Sequence, residues 1–438
     1  MPKAEKAEIT PPGDWLLAPP AARPDLVLVL EQGLRVDLGG AASGEAAFFG
    51  AAPQKPALRF TRAFTASVSP FVATVSALTG RYPSAIPICS WGMGAETAPW
   101  CAAIPADAPT LPEVLGLYGY ATALFGTAPS FHEHATLDAE FTEAHQVPGS
   151  PALPATVDAA LAWWSAHADQ PRLLVVTDDL MHELRDKVAG SGGADGFSAQ
   201  ALHDLASRYV RIAGERGAEI GRLVSGTVGG GPRPAYAFVT SGTGLNLGER
   251  TGTPSLPNVP LHRDVVLERT MHVPLAVYAS GAGETLTVPE VVELLDLVPT
   301  LARLGGAIPP ANLVGVDLLA NKHDPARVAY AEFGDMFAVR SATHLLLARV
   351  WQHGGTTLDP ELTKRVLEAR PGITSFGLHE VEHDPFQQDD LLGAEAALGL
   401  DLYRKLLAIR QGPGAPPPDA LTPERIEALR TSGTISYF

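Results

Sequence analysis

The run DLVLVL, residues 25–30, indicates the fold of this chain. A short, continuous apolar run that ends in polar turn residues is typical of a strand buried on both faces of a sheet. Three later runs repeat the pattern: ATALF (121–125), RLLVVT (172–177) and AYAFVT (235–240). A helical stretch precedes each of them, so we predict an α/β fold with a mixed, mostly parallel sheet sandwiched by helices.

The stretch before the last of these runs, residues 203–224, predicts a long amphipathic helix. Apolar residues recur there at helical spacing, and the positions between them are mostly polar. The apolar positions are Leu205, Tyr209, Ile212, Ile220 and Leu223. A single apolar stripe of this kind predicts a helix that lies on one face of the sheet.

The sequence pattern changes beyond about residue 330. MFAVRSATHLLLARV (336–350) predicts paired strands, FGLHEVEHDP (376–385) a further strand and turn, and residues 394–410 a helix. A proline-rich stretch then leads to a last helix, which includes residues 425–430. The predicted parts are an N-terminal extension (1–24), the α/β domain (25–330) and a small C-terminal α+β subdomain of antiparallel sheet plus helix (331–438).

Composition excludes several classes of function. Of 438 residues, 46% are hydrophobic and 18% charged, which provides enough apolar side chains for a large core. Lys and Arg number 32 against 48 Asp and Glu, and the formal charge of -16 repels nucleic acid and anionic lipid. No stretch has the apolar length of a secretory signal or a membrane span. We expect a cytoplasmic protein that binds no nucleic acid and spans no membrane.

The candidate site lies where the predicted strands end, because ligands of parallel sheets bind beyond the carboxyl ends of the strands. We expect the four strand ends to converge in one place. They are Glu31-Gln32-Gly33, Gly126-Thr127, Asp178-Asp179 and Ser241-Gly242-Thr243. Asp178 and Asp179 either bind a cation between them or serve as a helix cap and a solvated charge.

The order of these segments resembles the sulfatase family of the alkaline phosphatase superfamily, from about residue 24 to the C-terminus. FTRAFTASVSPFVATVSALTGRYP (60–83) looks like the family's nucleophile segment, which ends in Leu-Thr-Gly-Arg-Tyr-Pro. LPEVLGLYGYATALFG (111–126) resembles the helix and strand that follow, and ERTMHVPLAVYASG (268–281) resembles the Arg-Val-Pro-Leu strand. LHEVEHDPFQQDDL (378–391) and LTPERIEALRTSG (421–433) are similar to the closing motifs.

The resemblance implies a calcium ion and a nucleophile that is an oxidised cysteine, a serine or a threonine. This chain departs from both. Gln32 and Gly33 stand where the family has two metal-binding aspartates, and Pro70 stands at the nucleophile position. Thr74 replaces the arginine that steadies the nucleophile. Calcium takes about six to eight oxygen ligands with carboxylates among them, and proline has no nucleophilic atom.

The remaining catalytic positions are replaced as well. The family's Gly-Lys-Trp-His reads GTAP (126–129) here, and its Ser-Asp-His-Gly reads SGTG (241–244). His344 stands at the place of a late lysine, while His182 matches a family histidine. Metal, nucleophile and cations act as a unit in this chemistry, so we expect no calcium, no other cofactor and no remnant of the family mechanism.

Two interpretations of the function stay open. The first is a catalytically inactive sulfatase-like protein, a pseudoenzyme, that binds itself, another protein or a ligand as a scaffold or complex subunit. The second is a hydrolase or transferase of sulfate or phosphate esters with a rebuilt site near Ser69, His182 and His344. A serine before proline is most often a turn residue. His182 is either a retained ligand or general acid, or a polar residue left in an old pocket.

Two further groups of residues have alternative interpretations. His132, His134 and His145 form a loose cluster, which we interpret as surface histidines rather than a metal site. Cys89 and Cys101 are free thiols or form one bridge. The stretch between the cysteines contains two tryptophans that suit either a partner contact or a loop over the vacated pocket; they are Trp91 and Trp100.

Overall fold

The structure is a computed structural model, and it describes residues 16–17, 20, 22–36, 43–86, 104–105, 107–126, 135–146, 152–180, 183–184, 199–229, 231–247, 266–311, 313–320, 324–333, 336–349 and 376–411. The strands are β1 (Asp25–Gln32), β2 (Leu58–Phe64), β3 (Ala121–Gly126), β4 (Glu143–Gln146), β5 (Arg172–Asp179), β6 (Ala235–Thr240), β7 (His272–Ala279), β8 (Leu286–Glu293), β9 (Ala329–Phe333), β10 (Met336–Arg340), β11 (His344–Arg349) and β12 (Phe376–Glu380). The helices are α1 (Gly44–Gly50), α2 (Pro70–Thr79), α3 (Leu111–Leu117), α4 (Ala135–Asp138), α5 (Ala152–Ala166), α6 (Ala199–Val228), α7 (Glu268–Met271), α8 (Leu297–Leu304) and α9 (Ala396–Gln411).

The main sheet has eight strands in the order β4-β3-β5-β1-β6-β7-β2-β8. The strands β4, β3, β5, β1 and β6 run parallel to one another, and β7 runs antiparallel to its neighbours β6 and β2. The chain crosses over between most neighbouring strands, and helices on the sheet faces make these crossovers. Of these parallel strands, β1, β3, β5 and β6 are buried on both faces, as their apolar runs predict.

Side chains of β1 alternate between the two faces of the sheet. Leu28 and Leu30 lie in one core cluster with side chains of α2, α3 and α8. Val29 lies in the other with side chains of α5 and α6. Close packing on this second face requires a glycine, because a Cβ on Gly217 of α6 would lie 2.0 Å from the carbonyl oxygen of Phe48 in α1.

A smaller antiparallel sheet follows, with the strand order β12-β11-β10-β9. Helix α9 packs on it through an apolar cluster that includes Phe337, Leu346, Leu402 and Leu406. Tyr82, which follows α2, belongs to the same cluster, so apolar packing joins the small sheet to the main body.

Buried charges reinforce this junction. Arg327 binds Asp296 through two hydrogen bonds of 2.7 Å and reaches Glu293 Oε2 at 3.2 Å. The Tyr82 hydroxyl donates to Glu293 Oε1 at 3.1 Å, and the Tyr330 N–H donates to the same oxygen at 2.9 Å. Burial raises the pKa of Glu293 to about 7, although the nearby Arg327 guanidinium opposes that rise. The junction therefore contains a carboxyl group that titrates near neutral pH.

The structure confirms the predicted fold class, including the small antiparallel sheet after the main one. The long helix spans Ala199–Val228 rather than 203–224, because polar end residues extend a helix beyond its apolar stripe without altering the stripe. All five stripe residues are buried. The expected helix at 425–430 lies outside the described residues. Within those residues, no helix has the length and apolar character needed to cross a membrane.

Candidate active site

The carboxyl ends of four neighbouring parallel strands meet at one edge of the main sheet. Gln32 of β1 pairs in register with Asp179 of β5, and Gly126 of β3 pairs with Thr177. The end of β6 lies on the other side of β1. Two predicted positions, Thr127 and His182, fall outside the described residues.

Gln32 occupies the centre of this edge and is fully buried. Its Nε2 donates to Thr74 Oγ1 at 3.1 Å, and Thr74 Oγ1 donates to the carbonyl oxygen of Pro70 at 2.9 Å. Thr243 Oγ1 donates to Gln32 Oε1 at 3.4 Å. We call this chain of Thr243, Gln32, Thr74 and the Pro70 carbonyl the Gln32 network.

The donors and acceptors of the Gln32 network are mutually consistent. The Thr74 hydroxyl gives its only proton to Pro70 and so can only accept from Gln32, which directs the NH₂ end of the amide toward Thr74. The amide oxygen then faces the Thr243 hydroxyl, which has a proton to donate. Each hydrogen bond joins neutral groups. Positions 32, 74 and 243, which lie far apart in the sequence, are therefore linked without any charge.

Gly242 makes room for the Gln32 amide. A Cβ at position 242 would lie 2.3 Å from Gln32 Nε2 and 2.5 Å from Oε1, distances that real side chains do not reach. Gly33 has a φ of 93°, which favours glycine, and its N–H donates to the Thr243 carbonyl at 2.8 Å. Both glycines therefore serve the packing of this edge.

Ser69 and Pro70 form the start of α2. Ser69 is the N-cap residue, but its side chain makes no capping hydrogen bond, and Pro70 takes the first helical position that proline favours. Ser69 is 6% exposed. Among the described residues, no histidine or carboxylate hydrogen-bonds to the Ser69 hydroxyl, so nothing in that part of the chain activates it as a nucleophile.

Glu31 and Asp178 lie on the opposite face of the sheet from Gln32. They are neighbours in the β1–β5 register, and both contact Arg216 of α6, which lies 3.5 Å from Glu31 Oε1. Arg216 also lies 3.5 Å from Glu183 Oε2. Burial lowers the pKa of Arg216 despite the attraction of Glu31. These carboxylates therefore form a structural ion cluster behind the candidate site.

The structure contradicts one interpretation of Asp178 and Asp179, a cation held between them, and agrees with part of the other. The residues are the last two of strand β5, so their side chains point to opposite faces and cannot hold one cation between them. Asp179 directly precedes the helical residue Leu180, which is the place of a helix cap, whereas Asp178 is buried rather than a solvated charge. The apolar run predicted a strand over residues 172–177, but the strand continues through Asp178 and Asp179.

His344 lies in the small sheet, where it begins β11. Its ring nitrogens face Thr343 Oγ1 at 2.8 Å and Glu395 Oε2 at 3.4 Å, rather than the residues of the Gln32 network. The structure thus gives this histidine partners of its own. The other member of the suggested rebuilt site, His182, is not described.

A buried ionic cluster lies near the end of β6. Glu268 accepts a hydrogen bond from Arg340 Nε at 2.8 Å, and its Oε1 lies 3.0 Å from His272 Nδ1. Burial alone would raise the pKa of Glu268, but Arg340 and His272 outweigh it and hold the pKa at about 2. The carboxylate is therefore fully paired and serves the packing of α7 against β10.

The remaining predicted groups are only partly described. His145 lies on β4, where its Nε2 is 3.1 Å from Glu143 Oε2. His132, His134, both cysteines and both tryptophans of the 89–101 stretch lie outside the described residues. In the part of the chain that is described, no group of three His, Cys, Asp or Glu residues could hold a metal ion.

Comparison with known proteins identifies the fold. No protein-family model matches the chain. It is similar to a 2-O GAG sulfatase with a TM-score of 0.62 and 13% identity, over 88% of this chain and 91% of the other. It is also similar to a phosphonate monoester hydrolase from Silicibacter pomeroyi, with a TM-score of 0.59 and 15% identity, over 89% and 95% of the two chains.

One curated relative shares sequence over a short stretch. Arylsulfatase K of Mus musculus is 32% identical over 111 residues, a match that covers 22% of this chain and 20% of the relative. The chain therefore matches only a fifth of that relative's length. Together with the structural matches, this similarity shows that the chain has the sulfatase-like fold of the alkaline phosphatase type.

Proposed function

We propose that this protein is a catalytically inactive member of the sulfatase-like fold that acts by binding. The observation that carries the proposal is the Gln32 network, which fills the edge of the sheet with neutral hydrogen bonds. A hydrolytic site of this class needs a cation and fixed positive charge where negative charge develops on the ester. The described side chains of the Gln32 network supply neither.

The donor set also does not fit a calcium ion. Gln32 Oε1 already accepts from Thr243, and neither Gly33 nor Gly242 has a side chain to contribute. Calcium needs about six to eight oxygen ligands, and its sites normally include several carboxylates. Glu31 has a carboxylate but lies on the other face of the sheet with Arg216, and Asp179, in register with Gln32, adds only a single carboxylate. We accordingly propose that the protein holds no calcium here.

The Gln32 network gives a physical reason to propose a binding role in place of catalysis. Removing carboxylates and cations from a buried edge lowers the desolvation cost of closing it, so the chain can fill the space with its own side chains. The outer surface is then free to contact a partner. The stretch that contains Trp91 and Trp100 is our candidate for that contact, and a cytoplasmic location stays a prediction.

The test is a hydrolysis screen with aryl sulfate, phosphate monoester and phosphate diester substrates, with and without added calcium. We expect no turnover above that of the heat-denatured protein, and no rescue by Pro70→Cys, because the missing groups act together. Cross-linking in lysate of the native host should recover a partner or a second copy. Hydrolysis that Ser69→Ala abolishes, in a protein that stays monomeric and recovers no partner, would instead establish the rebuilt enzyme.

A further inference from the structure

A surface cluster on the edge strand β4 contains two histidines that share one carboxylate. Glu143 Oε2 lies 3.1 Å from His145 Nε2, and Glu143 Oε1 lies 3.2 Å from His167 Nε2. His167 comes directly after α5, so this carboxylate joins the edge strand to the end of a helix. The indole N–H of Trp163 also donates to Glu143 Oε1, at 2.8 Å.

Aromatic rings hold both imidazoles in place. His145 stacks on Phe125 of β3, with ring centroids 4.6 Å apart and planes 14° apart. His167 stacks on Trp163 of α5 at the same centroid distance. The orientation of each imidazole is therefore set by packing as well as by Glu143.

The two histidines differ in what their second ring nitrogen contacts. His167 Nδ1 lies 2.9 Å from the carbonyl oxygen of Trp163, which can only accept a hydrogen bond. Its Nε2 faces a carboxylate oxygen, which also only accepts. His167 can donate to the Trp163 carbonyl and also form an attractive ion pair with Glu143 only when both nitrogens carry a proton, that is, as the imidazolium. His145 can keep its bond to Glu143 when neutral, because a single proton on Nε2 is sufficient.

Other charged groups do not offset this difference. Among the described residues, the titratable groups that act on Glu143 are His145 on its own strand and His167 at the end of α5. Strand β3 contributes the uncharged ring of Phe125. Where α6 meets α5, Arg222 is engaged with Asp158 and Glu219. The Trp163 hydrogen bond and the two imidazoles lower the pKa of Glu143, which favours the charged carboxylate.

We propose that His167 is a proton-operated clasp that holds edge strand β4 to helix α5. Protonated His167 bridges Glu143 and the Trp163 carbonyl. The neutral form must present a lone pair to one of these two oxygens, so that contact becomes repulsive and the attachment of β4 weakens as pH rises. This proposal does not depend on the proposed binding function.

Hydrogen–deuterium exchange of the full chain, followed by mass spectrometry of peptides that cover residues 142–146, tests the clasp. Protection, corrected for intrinsic exchange rates, should fall about two- to fivefold between about pH 5.5 and 8, the range in which imidazoles change charge, since partly exposed ion pairs contribute only modestly. His145→Gln should keep this pH dependence. His167→Gln should remove it. A pH-independent wild type, or a His167→Gln variant that keeps the wild-type fall, would overturn the proposal.

A second measurement uses the unaltered chain and so avoids any folding defect of the variant. Nitrogen NMR of protein labelled with ¹⁵N-histidine should show both ring nitrogens of His167 protonated at about pH 5.5. The loss of that proton should track the loss of protection in β4. A His167 that is neutral at this pH, or that titrates without any change in protection, would also overturn the clasp.

Discussion

Gln32 and Gly242 share one volume at the edge of the main sheet, because the Gln32 amide lies where a side chain at position 242 would begin. A Cβ on Gly242 would lie 2.3 Å from Gln32 Nε2. The family pattern has an aspartate at each of these positions, and both would point toward a cation. In this chain the long neutral side chain of Gln32 on β1 fills the space that is open because Gly242, after β6, has no side chain. The two positions are therefore expected to be energetically coupled.

Substitution of Gly242 tests that coupling. Gly242→Ala should reduce the free energy of unfolding by about 1 to 3 kcal/mol, the usual cost of overpacking a filled interior. The same substitution in a Gln32→Ala background should cost at least about 1 kcal/mol less, because the amide that it meets is gone. Urea unfolding of the four proteins measures this cycle. The control is Gly283→Ala, where the added Cβ meets no atom within 4 Å; additive effects would contradict the shared volume.

Substitution of Thr74 tests the neutral hydrogen bonds. Thr74→Val keeps the shape of the side chain but removes the acceptor of Gln32 Nε2 and the donor to Pro70, so we expect a loss of about 1 to 3 kcal/mol from unsatisfied buried groups. Thr74→Ser keeps the hydroxyl and should retain most of the stability. The exposed Thr287→Val is a matched control and should change stability by less than about 0.5 kcal/mol. Equal effects at the two threonines would show that the network contributes nothing.

The sequence predicted the layout of this edge but not its contacts. Successive residues of a strand point to opposite faces, and the structure has Glu31 with Arg216 on the face opposite Gln32. Thr74 was notable only as the replacement of an arginine. Its bond to Gln32 joins residues 42 positions apart, and no local pattern reports which side chains meet at that separation.

His167 was missed for a similar reason. The sequence drew attention to His132, His134 and His145 because they lie close together in the chain. His167 lies 22 residues beyond His145 and contacts the same carboxylate, Glu143, only because α5 ends beside strand β4. The available signal was its spacing of four residues from Trp163, which places the two rings on one side of a helix end.

Glu293 should make stability fall as pH rises toward and through neutrality. Its pKa is raised from 4.5 to about 7 in the folded protein, so the folded state holds a proton that the unfolded state has already released. Its favourable contribution is complete below about pH 4.5 and is lost as pH rises through about 7, with an upper bound of about 3 kcal/mol. Chemical unfolding between pH 5 and 8 measures it. Glu293→Gln should flatten the slope, whereas the exposed Glu284→Gln should not; an unchanged slope in Glu293→Gln would contradict the assignment.

Glu268 should have the opposite pH dependence. Its pKa is lowered to about 2, so it stabilises the folded state above about pH 4.5 and loses that contribution as pH falls toward 2. Arg340→Met should cost about 3 to 5 kcal/mol at neutral pH, because it leaves a buried carboxylate without its guanidinium partner. Arg340→Met combined with Glu268→Gln should be more stable than Arg340→Met alone. If the second substitution recovered nothing, the ion pair would not be the source of the loss.

We propose that neutral side chains have replaced the cation site, and a calcium-binding measurement tests this replacement. The purified protein is stripped of metal and titrated with calcium chloride up to millimolar concentration in a calorimeter. We predict no saturable binding of one calcium ion per chain, in the wild type and in Gln32→Leu alike, because Gln32 and the neighbouring Asp179 supply far fewer oxygens than the roughly six to eight that calcium needs. Binding of one calcium ion per chain that Gln32→Leu abolishes would place the ion on Gln32 and contradict the replacement of the cation site by neutral side chains.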